Sequence, residues 1–182
     1  MAQKDPLNIS PGKNADIASM LRVNQAGEYG AKRIYAGQLA IMGDRTPAAR
    51  SIAHMAEQEE RHLSAFDRML AERAVRPTIL QPVWDVAGFA LGAITAAIGP
   101  EAAMACTVAI ETEIDLHYGE QLEVIGASDP ELSALVAEFQ AEEQEHKATA
   151  LAEGAERAPA YPLMSAAIRL GCRTAIALSK RI

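Results

Sequence analysis

Two Glu-x-x-His motifs, Glu59–His62 and Glu143–His146, stand 84 residues apart in a chain of 182, and each follows a lone Glu at a nearly fixed interval. Glu28 precedes Glu59 by 31 residues, and Glu111 precedes Glu143 by 32. Residues three apart on a helix share a face, so each motif can offer a carboxylate and an imidazole to one point in space. One such pair arises often by chance. A whole set repeated, one Glu and then one Glu-x-x-His, does not, and the chain therefore reads as two similar helix pairs.

The set also sits where a core should be. Glu59 falls in line with Ile52, Met55, Leu63 and Phe66, and Glu143 with Leu132, Val136 and Phe139. Glu28 keeps register with Leu21, Ala31 and Tyr35, and Glu111 with Met104, Val108, Ile114 and Tyr118. The adjacent acids Glu57, Glu60, Glu142 and Glu145 fall off these stripes and read as ordinary solvated charges. A carboxylate buried without compensation costs several kcal/mol, so something must offset four of them. Two divalent cations would do so, matching four carboxylates and two neutral imidazoles in charge. The plainer alternative is an ordinary bundle whose core-edge residues are hydrogen-bonded in pairs. One Glu from each of two helices plus a Glu-x-x-His from each of the other two is the di-metal arrangement of ferritin-like bundles. Such a donor set suits iron or manganese.

The rest of the chain agrees with helices. Ala, Leu, Met, Glu and Arg dominate, and only 4% of residues are aromatic, which favours helix over sheet. Helices are expected from Ala15 to Met42, from Pro47 to about Arg76, from Glu101 to Ile125 and from Glu131 to about Gly154, with Gly and Pro at the breaks. An apolar stretch, Val83–Ile98, and an amphipathic one, Leu163–Leu178, lie outside that set. The expected fold class is all-α: a ferritin-like four-helix bundle with an internal two-fold repeat plus extra apolar and amphipathic helices. Residues 1–14 form a polar leader without the apolar core of a secretory signal, and 15–182 form one domain. The net charge of −7 and the lack of a basic stripe argue against nucleic acid as a partner. Cys106 and Cys172 are far apart and outside any CxxC spacing, so they read as buried thiols.

The residues around the expected ligands resemble a known family. The run LRVNQAGEYGA from Leu21 to Ala31, continuing through Arg33 to Gln38, is similar to the first-helix signature of the demethoxyubiquinone hydroxylase family. So are Thr107–Glu111, His117–Tyr118, Glu142–Lys147, Ala158–Leu163 and Gly171–Ile176. The resemblance runs from about residue 16 to the C-terminus. It implies iron ligands at Glu28, Glu59, His62, Glu111, Glu143 and His146, the set already reached from spacing. It further implies a di-iron monooxygenase that uses O2 to hydroxylate the ring of demethoxyubiquinol in ubiquinone biosynthesis. Two Fe ions per chain are expected, with Mn as the other candidate, together with an external reductant, NADH or the quinol itself. His117 and Tyr118, six and seven residues after Glu111, are expected to assist proton or electron delivery. A core histidine and a packing tyrosine are the plainer reading. Rival enzymes with the same ligand set are a peroxidase, a catalase or a tRNA hydroxylase, and an iron-storage protein is the rival of another class. Dispersed acids and missing CxxC pairs weigh against storage and against a rubredoxin-like peroxidase.

A quinol with a polyprenyl tail lives in a bilayer. Val83–Ile98 is shorter than the roughly 20 residues of a spanning helix, so it reads either as a membrane-contacting segment or as a buried core helix. Leu163–Leu178, with Arg169, Arg173 and Lys180, suits an interfacial helix on anionic lipid, or one packed on the protein surface. Arg169 and Arg173 could equally meet a dinucleotide's phosphates. The expected partners are the membrane-borne quinol, an anionic lipid surface, and a lipid-presenting protein or a second copy of the chain. The expected place is peripheral: the cytoplasmic face of a bacterial cell membrane, or the matrix face of the inner mitochondrial membrane.

Overall fold

A computed structural model describes residues 11–44 and 46–181, and its described residues are all helix, turn or coil. Six α-helices follow in order: α1 (Pro11–Met42), α2 (Pro47–Glu72), α3 (Gln81–Ile98), α4 (Pro100–Ile125), α5 (Pro130–Ala152) and α6 (Tyr161–Ser179). Each of α2 to α6 carries Pro in its first turn, where the missing N–H would have had no helical partner. That explains two departures from expectation. Helix α1 starts at Pro11, four residues inside the expected leader, and Gln81-Pro82 opens α3 instead of merely breaking α2. The first ten residues of the leader lie outside the described residues.

The repeat extends to the turns. Gly43 ends α1 at φ +68° and Gly126 ends α4 at φ +45°, a left-handed backbone that favours glycine. Three residues later each half has a capping side chain followed by Pro. The Thr46 hydroxyl accepts from the Ala49 N–H at 3.0 Å, and the Asp129 carboxylate from the Leu132 N–H at 3.1 Å. Arg73, at the end of α2, ion-pairs with Asp129, tying one half's exit to the other half's turn.

Helices α1 and α2 pack together, as do α4 and α5, and both pairs meet through α4. Helix α4 is the central one, with every residue from Ala102 to Glu111 buried. Two apolar clusters result. One joins Ile34, Tyr35, Ile52, Met55, Met104 and Val108; the other joins Leu21, Phe66, Met69, Tyr118, Val136 and Phe139. The carboxylates lie on the same helices between them.

Helix α3 is not a buried core helix. Only 17% of its 18-residue apolar span is buried, and its mean hydropathy of 1.2 makes it long and apolar enough to cross a membrane by length and composition. Yet one face is pressed onto α1 by glycines. A Cβ on Gly92 would lie 1.9 Å from the Ile34 carbonyl oxygen, and one on Gly37 would lie 2.1 Å from that of Phe89. Backbone thus touches backbone, the packing that small residues four apart permit. Tyr29 donates to Asp85 at 2.9 Å, and Arg33 ion-pairs with it at 2.7 Å. The other face is bare: Val83, Val86, Ile94 and Ile98 are exposed, Val86 to 68%. Leu163, Leu170 and Leu178 of α6 are exposed in the same way.

Candidate metal centre

All six residues singled out by spacing are buried, and they converge. Glu28 comes from α1, Glu59 and His62 from α2, Glu111 from α4, and Glu143 and His146 from α5. One ligand atom each from Glu28, Glu59, His62 and Glu143 lies within 4.8 Å of the others, and so do atoms from Glu59, Glu111, Glu143 and His146. Glu59 and Glu143 belong to both groups, so two ions could share them, each keeping one imidazole and one further carboxylate.

Both imidazoles turn Nδ1 inward. His62 Nδ1 stands 3.1 Å from Glu143 and 3.4 Å from Glu28. His146 Nδ1 stands 2.9 Å from Glu143, 3.4 Å from Glu59 and 3.9 Å from Glu111. Phe139 stacks on the His62 ring at 3.9 Å between centroids and fixes its plane. Among the described residues eight buried side-chain atoms lack a hydrogen-bond partner. Six of them belong here: Glu28 Oε2, both Glu59 oxygens, His62 Nδ1, Glu111 Oε2 and Glu143 Oε1. Buried polar atoms are nearly always satisfied, so six orphans aimed at one spot fit the cations that the donor set suits.

Electrostatics tells the same story. Burial, then the charges of Glu143, Glu28 and Glu111, push the Glu59 carboxyl well above its ordinary range. Burial and Glu143 do the same to Glu111, against the hydrogen bond from Tyr35. Burial alone would lower His62, but its contacts with Glu143 and Glu28 outweigh that and raise it to about 10. Burial would raise Glu143, yet His146 and His62 hold it down to about 2. Burial and mutual repulsion thus bias Glu59 and Glu111 toward keeping protons, the response of acids close together in a dry core.

Tyrosines hold the outer oxygens. Tyr118 of α4 donates to Glu28 Oε1, and Tyr35 of α1 donates to Glu111 Oε1 at 2.5 Å. Each stands seven residues after the lone Glu of its own half and reaches the lone Glu of the other. His117 lies elsewhere. Its Nε2 accepts from the Gln121 amide at 2.7 Å, Gln121 and Asn24 are hydrogen-bonded to each other, and burial, helped by Lys180, lowers the imidazole to about 4. The structure thus brings Tyr118 to the carboxylates and gives His117 to a neutral amide network.

Beside the centre an apolar cavity of about 470 Å³ opens between α1, α3, α4 and α6. Gly27 and Ala31, which flank Glu28, and Ile110, which precedes Glu111, line it, as do Leu91 and Ala175. Trp84 donates to Ser179 at 3.2 Å and joins α3 to the end of α6. Arg169 and Arg173 close α6 on α4 by pairing with buried Glu113, at 2.5 and 2.8 Å. Burial would raise Glu113, but these guanidiniums hold it below its ordinary value.

Residues 15–179 match the family model described as ubiquinone biosynthesis protein COQ7. The chain belongs to this family. It is 49% identical over 179 residues to the 3-demethoxyubiquinol 3-hydroxylase of Rhodospirillum rubrum, covering 98% of this chain and 84% of that protein. The human relative, named NADPH-dependent 3-demethoxyubiquinone 3-hydroxylase, mitochondrial, is 48% identical over 179 residues, with 96% of this chain and 81% of that one covered. The yeast relative, named 5-demethoxyubiquinone hydroxylase, mitochondrial, is 37% identical over 191 residues, with 96% and 82% covered. As a member of the COQ7 family the chain is an enzyme, a hydroxylase of ubiquinone biosynthesis, on a ferritin-like helical bundle.

In this COQ7-family chain the sequence reading missed three residues around the centre. Glu142, read as a solvated charge, is half-buried; it accepts from His62 Nε2 at 2.8 Å and from Arg61. Gln58 faces His146 Nε2 through its carbonyl oxygen at 3.1 Å. Tyr35 was visible only as a core residue. The repeat carried the missing signal, because 58 and 142, like 35 and 118, are equivalent positions in the two halves. Tyr35→Phe and Tyr118→Phe are each expected to weaken ferrous binding about tenfold, the usual range for a lost outer partner, with the fold unchanged by circular dichroism. Equal affinity in both variants would make the hydroxyls mere packing.

Proposed function

We propose that the chain hydroxylates the ring of a demethoxyubiquinol with O2 at a two-iron centre held by Glu28, Glu59, His62, Glu111, Glu143 and His146. The observation that carries this reading is the pair of overlapping ligand groups, with six orphaned atoms, on four helices of which two, α1 and α4, also line an apolar cavity. Two ferrous ions bound there would supply the electrons and the Lewis acidity that activate O2. The chain's own residues do the rest. Tyr35 and Tyr118 orient the two outer carboxylates. The cavity takes an apolar ring and excludes water, and Glu113 is the one acidic group in its lining. The human relative's name supports a reduced nicotinamide as the electron source. Manganese suits the same donors, so metal content decides between the two.

The polyprenyl tail gives a role to the bare faces of α3 and α6, which flank the cavity. Their exposed Val, Ile and Leu side chains would lie against the bilayer, holding the protein to the surface of the quinone-bearing membrane without crossing it. That surface is the cytoplasmic face in a bacterium and the matrix face in a mitochondrion. Arg169 and Arg173 pair with Glu113, which leaves Lys180 and the outer edge of Arg173 for anionic lipid; a lipid-presenting protein or a second copy would have to use the same apolar face.

The test is anaerobic ferrous loading, followed by addition of O2 and a short-tailed demethoxyubiquinol. About two irons per chain and a product heavier by one oxygen atom are expected, both lost in Glu143→Ala. Two irons that break down peroxide or mineralise, without ring hydroxylation, would sink the assignment.

A further inference from the structure

The two halves surround the centre with matching residues at the tyrosines, but not at the imidazoles. Tyr35 and Tyr118 correspond, and each serves the other half's Glu. Gln58 and Glu142, each immediately before a shared carboxylate, also correspond, and each meets the outward nitrogen of the other half's histidine. Here the chemistry differs. His62 Nε2–H donates to a carboxylate at 2.8 Å, whereas His146 Nε2–H donates to a carboxamide oxygen at 3.1 Å. The Gln58 amide nitrogen lies 3.4 Å from Glu142 Oε2, which sets the amide's orientation and turns its carbonyl to His146. One hydrogen-bonded chain therefore joins the two imidazoles, with a full negative charge at one end only.

We infer that Glu142 and Gln58 are positioning residues that make the two metal positions unequal, the one at His62 binding a divalent ion more tightly than the one at His146. The inference rests on the two-iron reading above. An imidazole whose far N–H points at a carboxylate becomes a stronger donor through its other nitrogen than one pointed at an amide, because a charged acceptor polarises the ring more. Glu142 also adds its own attraction for a cation. Arg61 offsets that charge only in part, since it is shared with Glu138 at 3.2 Å. The ion beside His62 is thus the first to enter and the one better able to carry higher charge. The two irons of a nearly two-fold site then have separate roles.

The experiment is an anaerobic titration of the full-length metal-free chain with ferrous iron alone, followed by calorimetry, with Mössbauer spectra of iron-57 at one and two equivalents. Wild type should bind in two steps about tenfold apart or more, and show one doublet at one equivalent and two at two. Glu142→Gln, nearly isosteric, should weaken the first step about tenfold and merge the two. Gln58→Glu should instead tighten the second step. Two equal steps in wild type, or a Glu142→Gln variant that keeps the two steps as they were or weakens both alike, would overturn the inference while leaving the two-iron reading intact. If no ferrous iron binds at all, the two-iron reading fails first, and this inference with it. Gln58→Glu provides an independent check should Glu142→Gln fold poorly, because it adds the charge instead of removing it.

Discussion

Saturating the metal-free protein with ferrous iron is expected to raise its melting temperature by about 20 °C, and Glu59→Gln to abolish that rise while making the metal-free form more stable. A ligand at a thousand times its Kd contributes about 4 kcal/mol per site, and in a domain of this size each kcal/mol moves the melting point by about 2–4 °C. The second half of the prediction follows from Glu59, whose two oxygens are both buried without partners. Its folded pKa lies well above the ordinary 4.5. Its favourable contribution is therefore complete below about pH 4.5 and is lost as pH rises, because the unfolded chain gives up the proton first. His62, raised to about 10, adds a loss of the same sign from about pH 6.5 upward. Glu143, held down to about 2, works oppositely and removes stability as pH falls below about 4.5. The metal-free protein should thus be most stable near pH 5 and weaken on both sides. Gln at 59 removes a buried acid and should stabilise the metal-free form at neutral pH by about 1–3 kcal/mol. Iron binding should also release protons, since ligands must be deprotonated and burial biases Glu59 and Glu111 toward their protonated forms. Scanning calorimetry with and without chelator at several pH values checks all of this. A melting point indifferent to iron would remove the metal from the centre.

Filling the cavity should cost turnover and leave the metal alone. Gly30 lines the cavity, and a Cβ built on it meets nothing within 4 Å. Gly30→Leu should therefore fold at least as well as wild type, because a helix-interior glycine costs about 1 kcal/mol against a good helix former. Its side chain would occupy the space into which the ring enters. Displacing a ligand from a well-fitted apolar site at about 3 kcal/mol corresponds to about a hundredfold loss in kcat/KM. The iron-induced rise in melting temperature should persist, which separates a blocked cavity from a damaged centre. Unchanged kcat/KM would place the substrate elsewhere, with the exposed faces of α3 and α6 next in line.

The six ligand candidates could be read in advance because a helix converts spacing into direction. Three-residue steps put Glu59 with His62 on one face, and the apolar stripe shows that this face points inward. The capping turns were equally plain, since Thr46-Pro47 and Asp129-Pro130 carry their chemistry locally. Glu142 was misread for the complementary reason. Its helical angle places it off the stripe, and only the approach of α2 brings His62 to it, a relation between helices that no single-helix pattern contains. Arg169 and Arg173 read as facing lipid or phosphate because their partner, Glu113, lies on α4, 56 and 60 residues away in sequence. The composition of helix α3 fits membrane and core alike. The glycines at 37, 88 and 92 decide where one face goes, and they matter only because the facing helix supplies carbonyls to approach: α1 for Gly88 and Gly92, α3 for Gly37.

The exchange of tyrosines between the halves bears on how such a centre can be assembled. Neither helical hairpin holds its own lone Glu in place; each supplies the hydroxyl for the other. A single hairpin would present a Glu with no hydroxyl to hold it, so the smallest working unit is two hairpins face to face. Two separate, identical hairpins could form that unit, but any residue changed in one would change in both. Joining them in one chain removes that bond of identity, so a glutamine and a glutamate can stand at matching places, and one half can be altered while its twin stays as it was.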